Sequence, residues 1–511
     1  MTKGTIPVKR MILSAALTIA LLLATAPTAQ GGTYKAVQCH ERSGAGHADA
    51  AFHSSSQHYR SSSDCEGRGL GIEHDPGASR TGSGRYGAWT LTAPAGTEIV
   101  RAAARVDAES ENWHVPQVLI GLEGGARDLL DGVRGDLHTI DWEGAGGSYL
   151  SGRLVCVNRA DCGDGRNAYL YMRRVGLTLS DLKPPTLQLG GTLLEPGSRR
   201  GVQVLEVNAA DNGSGVRSVT VELNGQPLES RTLECQVKDS VAVRLRPCPG
   251  APTPRFDVAT TGADFRQGPN VLTVCAQDFS PEATANRTCE TRTVRVDNAC
   301  PLSEVTGSVL RARFEGSGSR MTTTSDASAT VVGKLSDAAG APVQGAEICV
   351  ATRVDTTDGP PERVISTPTT GSDGRFRTRL PAGPSREVRI AHWHGPHAVT
   401  ERFLALESKA VPRLSLRPDR PLRNGEAVRF DVRIPGPAQA NRRVAIQARG
   451  TGKWIRIGGG RTDRGGRWSG RYRFRNTTGT RRYSFRAVIR RQPGYPYSPG
   501  HSKTRHATVT G

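Results

Sequence analysis

Val428-Arg429-Phe430-Asp431-Val432-Arg433-Ile434 is the stretch whose pattern decides the fold. Every second residue is apolar and the residues between are charged. A period of two belongs to an extended strand with one face buried and the other in water. The pattern recurs nearby: Tyr472 and Phe474 alternate with Arg471, Arg473 and Arg475, and Tyr483, Phe485, Ala487 and Ile489 alternate with Arg482, Arg486 and Arg490. Residues 411–511 therefore predict a β-sandwich with one strongly cationic sheet face.

Working toward the N-terminus, the same reading extends over the whole chain. Residues 33–183 hold Trp89-Thr90-Leu91-Thr92 ending at the turn signal Pro94-Ala95-Gly96. Val118-Leu119-Ile120-Gly121-Leu122 reads as a buried strand, and Tyr169, Tyr171, Val175, Leu177 and Leu179 as closing strands. Size and pattern predict a jelly-roll sandwich of the lectin-like kind. Pro184-Pro185 marks a stiff boundary. In residues 184–298, Asp211-Asn212-Gly213-Ser214-Gly215-Val216 is a tight loop. The alternating Val219, Val221 and Leu223 then run into Asn224-Gly225, a strong hairpin signal. Val271-Leu272-Thr273-Val274-Cys275 and Thr291-Arg292-Thr293-Val294-Arg295-Val296 are the last two strands there. This region resembles bacterial immunoglobulin-like modules, and 411–511 resembles another immunoglobulin-like sandwich.

Residues 299–410 carry the more specific resemblance. Val332-Gly333-Lys334-Leu335 precedes Gly340-Ala341-Pro342-Val343-Gln344-Gly345-Ala346-Glu347-Ile348, with Asp373-Gly374-Arg375-Phe376 and Leu380-Pro381-Ala382-Gly383 following. In order and spacing this stretch, about 328–390, resembles the carboxypeptidase regulatory-like domain, a transthyretin-like β-sandwich. Ser385-Arg386-Glu387 stand where that family often carries an aromatic residue. The resemblance implies a non-catalytic accessory module. It also implies a superfamily shared with starch-binding-like folds, and hence possible sugar binding. Phe376 is expected to plug the sandwich. The fold class is thus all-β, a set of tandem sandwiches.

The 511 residues exceed what one core can organise, and 60 Gly with 31 Pro suit short strands joined by turns. Residues 11–24 form an apolar run preceded by Lys3, Lys9 and Arg10 and followed by small residues, the pattern of a secretory signal within residues 1–31. The run is short for a membrane span, and no second one follows. The expected location is extracellular or cell-wall associated, with no transmembrane segment after cleavage. Ten cysteines without a Cys-x-x-Cys then predict five disulfides. Connectivity stays open; neighbour pairing is simplest, joining Cys39 to Cys65, Cys156 to Cys162, Cys235 to Cys248, Cys275 to Cys289, and Cys300 to Cys349.

The net charge of +20 is uneven. Residues 411–511 carry 24 Lys and Arg against 4 Asp and Glu, a net of +20, and the rest carries 44 of each sign. The arginines Arg429, Arg433, Arg471, Arg473, Arg475, Arg482, Arg486 and Arg490 are the candidate contacts for wall polyanions or acidic polysaccharides. The solvated-face alternative stands beside that reading, because 59 Arg against 9 Lys reflects a general arginine bias. No motif for specific nucleic-acid recognition is present.

The sequence lacks His-Glu-x-x-His, Gly-x-Ser-x-Gly and a phosphate-binding Gly-x-x-x-x-Gly-Lys-Ser/Thr loop. The expectation is a non-catalytic binding or adhesion protein without cofactor. The alternatives are a carbohydrate-binding protein and a degradative enzyme with a dispersed site in 33–183. Trp113, Trp142 and Tyr149 are the candidates for stacking on sugar rings. His392, His394 and His397 could form a three-histidine metal set, with solvated loop histidines as the plainer reading. Arg134-Gly135-Asp136 matches an integrin-type tripeptide that also arises by chance.

Overall fold

The computed structural model describes residues 32–40, 46, 48–78, 80–130, 137–281, 285–356, 360–395, 397–450 and 452–511. The proposed signal and the Arg134-Gly135-Asp136 tripeptide lie outside them. Among the described residues no helix is long and apolar enough to cross a membrane. The architecture is all-β.

Four pairs of facing sheets follow one another along the chain. In the first, the larger sheet has the order 138–147, 97–109, 169–181, 33–38, and the smaller one 50–54, 86–92, 149–156, 114–122, 125–128. Between them lies a core that includes Ile99, Val106, Ile120, Leu150 and Leu177. The remaining three pairs repeat one plan, a three-stranded sheet against a larger one. The three-stranded sheets are 186–190/202–210/255–259, then 309–314/329–336/375–380, then 413–417/427–433/467–473. Each pair encloses its own apolar cluster. Phe376 is buried in the third, its ring against Gly333.

Local signals act where the sequence places them. Asn224-Gly225 joins the Val216–Leu223 and Gln226–Thr232 strands, both residues at positive φ (53° and 78°), as a tight primed turn requires. The ten cysteines form the five neighbour pairs, and no described cysteine is free.

The junctions are where the chain departs from simple beads on a string. The short strands Val237–Lys238 and Val241–Ala242 lie beyond Pro184-Pro185 in sequence, yet they extend the first pair's larger sheet through Ala36 and Ala242. The Cys235–Cys248 bridge closes this excursion. Asp49 receives Arg244 at 2.8 Å and the Leu245 amide at 2.6 Å, and the Tyr34 hydroxyl donates to the Leu245 carbonyl at 2.6 Å.

The second and third pairs meet on a buried charge network. Arg389, 1% exposed, contacts Glu362 at 2.7 Å, Asp297 at 2.9 Å and Glu401 at 3.5 Å. Trp393 donates its indole N–H to Asp297 at 2.6 Å, and Arg295 reaches Glu362 and Glu387 at 2.6 and 2.5 Å. Third and fourth meet through backbone, with Ser385 N–H to Pro496 O at 2.8 Å and Ala410 N–H to Ser498 O at 3.0 Å. Turns and alternation are local, but three joints are built from residues far apart in sequence.

Candidate functional site

A dense cluster of arginines lies on the outer face of the 413–417/427–433/467–473 sheet. Its inner positions Leu414, Val428, Phe430 and Val432 are buried in the core, so the pleat sends their neighbours outward. Register then aligns them. Arg413 stands opposite Arg433, which stands opposite Arg467; Arg417 stands opposite Arg429, which stands opposite Arg471. Two rows of three arginines cross the sheet. Between them runs a third row, Ser415, Asp431 and Ser469, and Arg473 extends the face beside Ala427.

Among the described residues Asp431 is the one carboxylate on the three strands of this face, and Asp326 stands at the edge of the groove above it. Asp431 contacts Arg429 at 2.9 Å and Arg417 at 3.6 Å and accepts from the Ser469 hydroxyl at 2.7 Å. Partial burial raises its proton affinity, but these hydrogen bonds and charges outweigh it and hold the carboxyl below the usual range. A groove of about 790 Å³ is lined by Arg413, Arg433 and Arg467 of one row and Arg417 and Arg429 of the other, and reaches Lys503 and Arg505 at its edge. Opposed residues in an antiparallel pair sit about 5 Å apart at Cβ, and like charges there repel. At about 6 Å in water each such pair costs roughly 0.5–1 kcal/mol. Guanidinium groups so arranged present parallel donors to phosphate or carboxylate oxygens.

The eight arginines singled out from sequence do not share one face. Arg429, Arg433, Arg471 and Arg473 do, and Arg475 follows just past the strand's end. Arg482 and Arg486 lie in the Thr480–Ile489 strand of the opposite sheet, with Arg490 one residue beyond it. The chain crosses the sandwich between residues 473 and 480, so alternation continues on a different wall. Arg486 is also engaged: it donates to Gln447 at 2.8 Å and covers the Trp454 ring at 4.3 Å. Arg413, Arg417 and Arg467 belong to the face and were not singled out. The alternation of Arg413-Leu414-Ser415-Leu416-Arg417 was the available signal for two of them.

The three aromatic candidates form no platform. Trp142 is 7% exposed and packs in the core of the first sheet pair, because Ile140 and Trp142 occupy the inward positions of their strand. Tyr149, half-buried, lies across Gly121 on the other sheet, and Trp113 stands exposed in the turn before the His114–Leu122 strand.

The histidines divide. His392 is buried, with Nδ1 3.1 Å from the Glu347 carbonyl, and it stacks on His394 at 5.7 Å; burial lowers its proton affinity. His397 is exposed. Among the described residues one group of three ligand atoms gathers within 4.8 Å, and it is Asp181, Asp211 and Asp278 rather than these histidines.

In the first sheet pair His58, His74 and His114 come together, with the His74 and His114 rings 4.1 Å apart. Their nitrogens serve internal contacts. Thr81 Oγ1 meets His58 Nδ1 at 3.1 Å and His74 Nε2 at 2.9 Å, and His114 meets the Tyr59 hydroxyl and the Gly163 carbonyl at 3.1 and 2.9 Å. Burial, then the neighbouring His114 and His58, pushes His74 down to about 4. Burial lowers the proton affinity of His114 as well, so His74 and His114 sit as neutral rings in the core.

No family model and no curated protein sequence matches the chain. Similar solved structures include a tetra-tandem repeat from the extending region of a large adhesion protein, at 12% identity over 84% of this chain and 95% of that one, with a TM-score of 0.22. They also include the Escherichia coli adhesin FdeC, at 14% identity over 64% and 97% with a TM-score of 0.22. Trypsin-activated alpha-2-macroglobulin from Escherichia coli matches at 13% identity over 90% and 33%, with a TM-score of 0.21. At TM-scores this low the matches carry no argument.

Proposed function

We propose that this is a secreted, non-catalytic surface-binding protein that holds anionic polymers through the arginine face of its last sandwich. The observation that carries the reading is the pair of three-arginine rows around one aspartate. Phosphate or carboxylate groups spaced along a polymer would neutralise both rows at once, with many weak contacts and no sequence or sugar reading. The outside of a cell offers such polymers as wall polyphosphates, acidic polysaccharides and lipid head groups. Export is supported by the signal-like residues 11–24 and by five disulfides, which persist in oxidising compartments. In this reading the stretch 328–390, with its resemblance to carboxypeptidase regulatory-like domains, is a spacer. The buried joints keep the modules from swinging freely.

The test uses the full chain on heparin-agarose. Changing Arg417, Arg429 and Arg471 to Ser should move elution to clearly lower salt, whereas changing Arg482 and Arg490 should move it little. Equal shifts from the two sets would mean that bulk charge, not this face, makes the contact.

A further inference from the structure

Three buried carboxylates meet where the first sandwich joins the second. Asp181 ends the Tyr169–Asp181 strand of the first; Asp211 opens the Asp-Asn-Gly-Ser-Gly loop and Asp278 ends the Gly268–Asp278 strand of the second. They are 0%, 5% and 0% exposed, and one oxygen from each lies within 4.8 Å of the others. Backbone and amide donors orient them. Asp181 accepts from Ser214 N–H at 2.8 Å and Lys183 N–H at 3.2 Å, and Asp211 from Gly213 N–H at 2.7 Å. Asp278 accepts from Asn286 N–H and Nδ2 at 3.1 and 2.7 Å. A side chain at Gly213 would collide with the Asp181 carboxylate, so glycine there permits the close approach.

None of the three carboxylates makes an ion pair with a described Lys, Arg or His. Each carboxylate oxygen that takes one hydrogen bond retains a further lone pair. A second observation points inward at the same place. Ser280 is 3% exposed and its hydroxyl forms no hydrogen bond among the described residues, yet it lies close enough to Asp278 to lower that carboxyl's proton affinity. Three like charges sealed from water need a counter-charge, and a buried idle hydroxyl needs a partner. One cation supplies both.

We propose that Asp181, Asp211, Asp278 and the Ser280 hydroxyl bind a calcium ion that clamps the first sandwich to the second. The donors are all oxygen, which excludes soft metals and favours a hard cation. Irregular, carboxylate-rich sets suit calcium better than the smaller magnesium, which prefers a strict octahedron and keeps its waters. The competing way to balance the charge is a proton: burial pushes Asp278 up to about 7 and raises Asp211 as well.

Equilibrium dialysis of the chelator-stripped full chain against radioactive calcium distinguishes the two. Calcium should bind at about one ion per chain, with a dissociation constant near or below the order of 1 mM typical of extracellular sites. It should raise the thermal midpoint, and equal magnesium should not. Asp211→Asn and Asp278→Asn should each weaken binding at least tenfold, and Ser280→Ala should weaken it less. If an Asn variant does not fold, wild-type dialysis and Ser280→Ala still decide. Wild-type protein that takes up no calcium at several times 1 mM, binding unchanged in both Asn variants, or equal stabilisation by magnesium would overturn the proposal.

Discussion

Replacing Arg389 by Met keeps the length of the side chain and removes its charge. In the native chain that guanidinium is 1% exposed and faces three carboxylates, Asp297, Glu362 and Glu401, at 2.9, 2.7 and 3.5 Å. Burial disfavours its charge, but the surrounding acids outweigh that and raise its proton affinity. Without it, Glu362 keeps Arg295, and Asp297 keeps the Trp393 indole and the Cys300 amide at 3.0 Å. Glu401 keeps the Ser198 hydroxyl at 2.9 Å. The three anions are then left with Arg295, which also serves Glu387, and with Arg200, which acts on Asp297 through space. Removing one partner of a buried pair costs about 3–5 kcal/mol. At a slope near 2 kcal/mol per molar urea, typical of one such module, the midpoint should fall by roughly 2 M. The assay is urea unfolding followed by tryptophan fluorescence, since Trp393 is itself buried in the junction. Adding Asp297→Asn should recover part of the loss, because it removes one stranded charge. A midpoint that stays put in Arg389→Met, with no recovery in the double variant, would show that the network does not hold the second and third sandwiches together.

Other outcomes follow from burial. His74 is neutral in the fold, held at about 4, whereas an unfolded histidine titrates near 6.5. Its contribution is therefore intact above pH 6.5 and is lost as pH falls toward 4, by about 3 kcal/mol in all. His74→Gln should remove that part of the acid slope in thermal melts, and an identical slope would contradict the neutral network. Trp142→Ala should cost about 3–5 kcal/mol as a core truncation. Trp113→Ala should stay within about 0.5 kcal/mol. Calorimetry showing the reverse order would mean that the two aromatics have been placed on the wrong sides.

Period-two alternation carried most of the fold. It set Val428, Phe430 and Val432 inward and Arg429 and Arg433 outward, and Asn224-Gly225 fixed one hairpin. Alternation also marked Trp142 as inward, since Ile140 and Trp142 alternate with Asp141 and Glu143. Reading it as a surface aromatic gave weight to residue type over pattern. What alternation lacks is any information on which sheet a strand joins. Arg473 and Arg482 are nine positions apart and end on opposite walls. The rows Arg413–Arg433–Arg467 and Arg417–Arg429–Arg471 depend on strand register between distant segments, which no local window contains. The same holds for Asp181, Asp211 and Asp278, and for the 237–242 excursion into the first sheet.

The central claim is that one sheet face, contacting polymer through its arginine rows, does the binding. The most direct measurement is the salt dependence of binding to a long polyphosphate, for wild type and for Arg417→Ser/Arg429→Ser/Arg471→Ser. Each phosphate neutralised contributes about 0.7 to the slope of log affinity against log salt for a single-stranded polyanion. Losing three contacts should therefore flatten the slope by about 2, while Arg482→Ser/Arg490→Ser leaves it unchanged. A triple variant whose slope equals that of wild type would contradict the account, because the rows would then touch no phosphate.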